Sequence, residues 1–131
     1  MIYGVGVDLL RSERMQAAWL RFGERLARKL LMPEELERFA RARRPARSLA
    51  MAFAAKEATV KALGTGFRGV GYRDCGVVHA ASGQPQLVFS PALRARLDAL
   101  GVAGGHVSLT DEGGMICAMV VLERLSAAAD R

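Results

Sequence analysis

Aromatic side chains are scarce, 6% of the chain, and none interleave with the basic stretch RARRPAR. That speaks against a single-stranded nucleic-acid surface, which stacks bases on aromatic rings. The basic run RARRPAR is a poor RNA-binding candidate on this ground, and no nucleic-acid partner is expected. Cysteine is limited to Cys75 and Cys117, which lack CxxC spacing and sit among apolar neighbours. Two buried free thiols are expected rather than a disulfide or a zinc site. Long apolar runs are also missing: MICAMVVL, from Met115 to Leu122, is well short of the ~20 residues that cross a bilayer. The opening MIYGVGVDLL has no basic leading segment and its apolar run is cut at Asp8. Neither a membrane span nor a secretory signal is expected, which points to a soluble, cytoplasmic protein.

What is present is apolar and basic. The 131 residues suit one domain, residues 1–131, and a 51% hydrophobic composition leaves material for a real core and for apolar surface between subunits. The net charge of +6 comes largely from arginines crowded between Arg11 and Arg47. Something anionic is expected there, and nucleic acid, an acidic protein or a phosphorylated small molecule would each meet that demand.

Periodicity sets the element order. Ile2 to Leu10 reads as a strand, followed by Ser12 as a helix N-cap and by Met15, Ala18, Trp19, Phe22, Leu26 and Leu30 at helical spacing. Pro33 opens a short second helix, PEELERFA, and Pro45 a third that runs to Gly64. Tyr72–His79 and Gln86–Phe89 read as strands around SGQP. A helix from Ser90 to Leu100 follows, closed by Gly101, and HVSLT and MICAMVVLER flank the hairpin turn DEGG. One strand, three helices, two strands, a helix and two strands argue for an α+β fold.

The third helix carries the chemistry. At ~100° per residue, Ala46, Ala50, Phe53, Ala54, Val60, Lys61 and Gly64 fall within ~60° of Glu57, at the centre of a small, apolar face. A carboxylate there needs a cation or several hydrogen bonds to replace water. Lys61, one turn on, is a candidate partner. Asp8 interrupts an apolar strand and is a second carboxylate for the same site, although it equally suits capping of the next helix. Two such oxygens fit magnesium, which takes one or two protein carboxylates and fills its other positions with water and phosphate. Lys61 would then meet the phosphate.

Three segments, IYGVGVDLL, LAMAFAAKEATVKALGTG and HVSLTDEGGMICAMVVLERL, resemble the holo-acyl-carrier-protein synthase family of phosphopantetheinyl transferases, and FGERLARKLLMPEEL is similar to it too. The resemblance implies an α+β fold, an antiparallel sheet packed with helices, in a trimer with active sites between subunits. It implies transfer of 4′-phosphopantetheine from coenzyme A to a serine of apo-acyl carrier protein in fatty acid biosynthesis, releasing adenosine 3′,5′-bisphosphate. It places Mg2+ on Asp8 and Glu57, with Asp8, Glu57 and Lys61 as the catalytic set and Glu57 as the candidate base. Coenzyme A is expected at Lys61, Gly64, Thr65, Pro85 and His106, with His106 near the nucleotide end and Gly83 and Pro85 in an adenine-side turn. Arg14 and Arg21 match positions that face the acidic carrier protein, and two helical turns place them on one face.

Two departures stand out. The family commonly carries a basic residue where this chain has Ala52, and the turn usually written with lysine has Gln84. Arg47 or Arg68 is the expected compensation. The alternative reading is a weakened paralogue that binds coenzyme A or carrier protein without transfer.

Overall fold

The computed structural model describes residues 1–126. Strand β1 (Ile2–Arg11) leads into helices α1 (Ser12–Phe22), α2 (Glu24–Leu30), α3 (Pro33–Phe39) and the long α4 (Pro45–Leu63). Strands β2 (Cys75–His79) and β3 (Pro85–Phe89), helix α5 (Pro91–Leu100) and strands β4 (Val102–Glu112) and β5 (Met115–Arg124) complete it. The architecture is α+β: a three-stranded antiparallel sheet in the order β1-β5-β4 beside the hairpin β2-β3.

The expected first helix is two. Apolar spacing continues to Leu30, but Gly23 takes φ 56° and donates its N–H to the Trp19 carbonyl at 2.8 Å, turning the chain between α1 and α2. Only glycine adopts this backbone without steric cost. Ser12 is the first helical residue rather than the cap, and Arg11 occupies the N-cap position without a side-chain bond. The proposed capping by Ser90 holds: its hydroxyl accepts the Leu93 N–H at 3.2 Å, and Gly101 closes α5.

Period-2 alternation sets the sheet's two faces. On β5, Ile116, Ala118, Val120 and Leu122 are buried against α4, while Met119 points the other way, 44% exposed. Fully burying a side chain such as Ile116 or Leu122 stabilises by ~1.5–3 kcal/mol. On β1, Gly4, Gly6, Asp8 and Leu10 face inward, and Val5, Val7 and Leu9 are exposed. The inward glycines allow backbone contact: a Cβ would sit 2.0 Å from the Ala62 carbonyl at Gly4 and 1.8 Å from the Ala58 carbonyl at Gly6.

Helix α4 is the centre of the molecule. It packs on β1, β5, α1 and β2, and Ala46, Ala50, Ala54, Ala55, Ala58 and Ala62 are all buried. The side opposite Glu57 is therefore as enclosed as the rest, with Ala55, Thr59 and Ala62 inside. Both cysteines are free: Cys75 is buried and its thiol is pushed up to about 11, chiefly by that burial, whereas Cys117 is only half-buried.

Candidate active site

β1 runs antiparallel to α4, so Gly4 lies at Ala62, Gly6 at Ala58, and Asp8, of the same parity, reaches Glu57 and Lys61. The Lys61 ammonium donates to the Val7 carbonyl at 3.0 Å and to Asp8 Oδ1 at 3.4 Å. Lys61 thus bridges to the strand rather than to Glu57, the partner expected from helical spacing, and Asp8 sits within the strand and caps nothing. Glu57 is half-buried and has no hydrogen bond or ion pair among the described residues. Burial raises its pKa first, the Asp8 charge raises it further, and Lys61 opposes both.

Two carboxylates drawn together, one without a partner, form a donor set that fits a hard divalent cation. No group of three or more His, Cys, Asp or Glu gathers among the described residues, so an ion here would take most of its ligands from water or substrate. Gly64, in the left-handed conformation that closes α4, and Thr65, whose hydroxyl donates to the Gly66 carbonyl at 2.8 Å, follow within about one turn of Lys61.

The other expected site residues lie elsewhere. His106 is on β4, paired with Val121, which is paired with Val5, so it belongs to the sheet face opposite Asp8. It is exposed there, 3.5 Å from Glu123. Pro85 and Gly83 line a cleft of about 680 Å³ between α3, α4 and the β2-β3 hairpin. Ser48 and Ala52, also in its wall, lie ~180° and ~140° around α4 from Glu57. Arg47 lines it too, but Asp111 holds its guanidinium through two 2.9 Å bonds. That pairing raises the Arg47 pKa and lowers that of Asp111. Arg14 and Arg21 are exposed on α1, with Arg21 stacked over Phe22 at 5.1 Å and Leu20 protruding beside them.

Three features of this region escaped the sequence reading. Arg38 and His79 line the same cleft; His79 Nδ1 is buried without a hydrogen-bond partner among the described residues, and its pKa is lowered by burial and then by Arg38. Lys56 is fully buried against Glu35. The helical projection that singled out Glu57 also places Lys56 among Leu49, Thr59, Val60 and Leu63, a signal that its charge needs a buried partner.

The profile of the 4′-phosphopantetheinyl transferase superfamily matches residues 4–110. The chain is 46% identical to the holo-[acyl-carrier-protein] synthase of Thiobacillus denitrificans over 131 residues, covering 99% of this chain and 100% of that protein. The crystal structure of holo-[acyl-carrier-protein] synthase from Neisseria meningitidis superposes with a TM-score of 0.90 at 42% identity, over 95% of this chain and 100% of that one. The Bacillus anthracis holo-(acyl-carrier-protein) synthase, solved in complex with CoA (3′,5′-ADP), superposes with a TM-score of 0.76 at 29% identity, over 95% and 99% of the two chains. A strand carboxylate beside a half-buried helix carboxylate, on a fold and sequence shared over almost the full length of these proteins, makes this chain a member of the holo-[acyl-carrier-protein] synthase family within the 4′-phosphopantetheinyl transferase superfamily.

Proposed function

We propose that this chain transfers 4′-phosphopantetheine from coenzyme A to a serine hydroxyl of an apo-acyl carrier protein, releasing adenosine 3′,5′-bisphosphate. The observation that carries the reading is the meeting of Asp8, Glu57 and Lys61 on one side of α4. Asp8 and Glu57 would hold Mg2+, which when bound supplies charge neutralisation at the pyrophosphate. Lys61, half-exposed, turns its ammonium from Asp8 toward the leaving phosphate. Glu57 accepts the serine proton. In the transfer the serine Oγ–P bond forms at the β-phosphorus, and the bond from that phosphorus to the bisphosphate breaks. Gly64 and Thr65 offer close backbone approach next to Lys61.

The site is completed by a neighbouring copy in a homotrimer. Val5, Val7, Leu9 and Met119 leave an apolar sheet face exposed, and His106 stands on that face. A copy packed there would bring His106 to its neighbour's coenzyme A. Because the cleft at Pro85 and Gly83 lies around α4 from Glu57, the nucleotide end enters that cleft on the neighbouring copy, with Arg38 supplying positive charge where Ala52 and Gln84 do not; Arg47 joins only by leaving Asp111. Arg14 and Arg21, with Leu20 and Phe22, form the docking face for the acidic carrier protein.

The test is a mass-shift assay with coenzyme A, magnesium and apo carrier protein beside a chelator control. A gain of the phosphopantetheine mass that the chelator abolishes supports the reading. Coenzyme A binding with no mass shift leaves a binding module.

A further inference from the structure

Lys56 precedes Glu57 in α4 and points ~100° away from it, into the interior. Its side chain is fully buried, and its ammonium donates to Glu35 Oε1 and to the Cys75 carbonyl, both at 2.5 Å. Glu35 is buried as well; Oε1 accepts the Met32 N–H and Oε2 the Val77 N–H, each at 3.1 Å. One ion pair thus ties α4 to α3 and to β2, and none of these groups enters the transfer chemistry.

The rest of α4's surroundings explains what such a tie does. On the β1 side the contact is alanine on glycine, backbone against backbone, with no side-chain ridges to interlock. Leu49, Val60 and Leu63 are larger, but apolar contact is non-directional and tolerates small rotations. The two hydrogen bonds from Lys56 are directional and end on acceptors that are themselves held, and, unlike the exposed bonds of Lys61 and Arg47, they are fully buried, so they fix how far α4 is turned about its axis. That rotation decides whether Glu57 faces Asp8. We infer that the buried Lys56–Glu35 pair is a positioning device that sets the rotation of α4 and so holds Glu57 in register with Asp8. It rests on the proposed reading of Asp8 and Glu57 as cation ligands.

The test is Mn2+ binding, followed by the EPR signal of the free ion, together with steady-state kinetics for wild type and two variants. E35Q/K56M removes both charges at nearly constant volume, leaving no buried ion unpaired. Gly76→Ala perturbs the pair while leaving both of its residues in place, because a Cβ there falls 2.5 Å from the Glu35 carboxylate. The expected result is folded protein whose Mn2+ affinity and kcat fall about tenfold or more for E35Q/K56M and less for Gly76→Ala. The KM for carrier protein stays unchanged, which general damage to the fold would not spare. Wild-type Mn2+ affinity and kcat in folded E35Q/K56M overturn the inference; should that variant fail to fold, Gly76→Ala decides on the same criteria. A wild type that binds no Mn2+ removes the cation reading itself, and the inference with it.

Discussion

Replacing Gly6 with alanine tests whether the approach of β1 to α4 builds the site. A Cβ at Gly6 lands 1.8 Å from the Ala58 carbonyl oxygen and 2.8 Å from the Ala62 nitrogen, both main-chain atoms that cannot rotate away. Restoring ordinary contact, which begins near 3.4 Å, requires strand and helix to part by about 1.6 Å. Such a separation takes the 3.0 Å and 3.4 Å contacts of Lys61 to Val7 and Asp8 out of bonding range. Overpacking typically costs ~1–3 kcal/mol, and a backbone obstacle belongs at the upper end. For a domain of this size that lowers Tm by roughly 10 °C. A misplacement beyond ~1 Å at a reacting centre costs about 100-fold in rate, so kcat should fall more steeply than stability. Thermal unfolding and the mass-shift assay measure the two effects on one preparation. Gly101→Ala is the control: its φ of 76° makes alanine strained, by ~1–2 kcal/mol, but no atom lies within 4 Å of the new Cβ. It should lose stability and keep its turnover. A Gly6→Ala protein that melts with the wild type and matches its rate would show that β1 and α4 can part without disturbing the chemistry.

Four further outcomes are expected. Glu57→Gln keeps the fold and abolishes transfer; near-normal turnover at saturating magnesium would take Glu57 out of the mechanism. Arg14→Glu raises the KM for carrier protein and leaves that for coenzyme A nearly unchanged, and equal effects on both would contradict docking at α1. Met119→Lys, placing charge on the exposed sheet face, converts the proposed trimer to monomers by light scattering and lowers activity with it; a fully active monomer would refute a shared site. Because Glu57's pKa is raised on folding, the folded state holds its proton above the usual value of 4.5, so this group's contribution to stability falls as pH rises through that window. Without divalent cation, the wild type should lose stability relative to Glu57→Gln over that rise, and magnesium should reverse the loss at neutral pH; parallel melting curves for the two proteins would contradict it.

The sequence made punctuation legible and missed long-range pairing. Pro45 and Gly64 bound α4, and Ser90, Pro91 and Gly101 bound α5, because caps and stops act through neighbouring backbone. Gly23 was hidden by apolar spacing that runs on through α2, since periodicity does not register one residue of positive φ. Asp8 and Glu57 were identifiable as charges in apolar settings. Lys61 was matched to the wrong carboxylate because a helical projection holds only its own helix, whereas strand parity brings Asp8 in from β1. Arg47 was expected as a compensating cation for the phosphates, and its ion pair was not foreseen because Asp111 lies 64 residues away. Glu35 and Lys56 meet only once α3 folds across α4, so neither one's local context names the other.

The order of the sheet also governs how a nascent chain acquires its shape. β1 precedes β5 by more than a hundred residues, yet among the described residues β5 is the strand it pairs with, Ile2 opposite Glu123. Until the ribosome has delivered residues beyond 120, the glycine-bearing strand has no ladder to join and α4 lacks one wall. Pairing strands so far apart in sequence slows folding, because loop closure must precede the contacts that reward it. A polypeptide stalled at the β4-β5 turn would leave Ile2–Arg11 without its ladder, a natural target for chaperones and proteases.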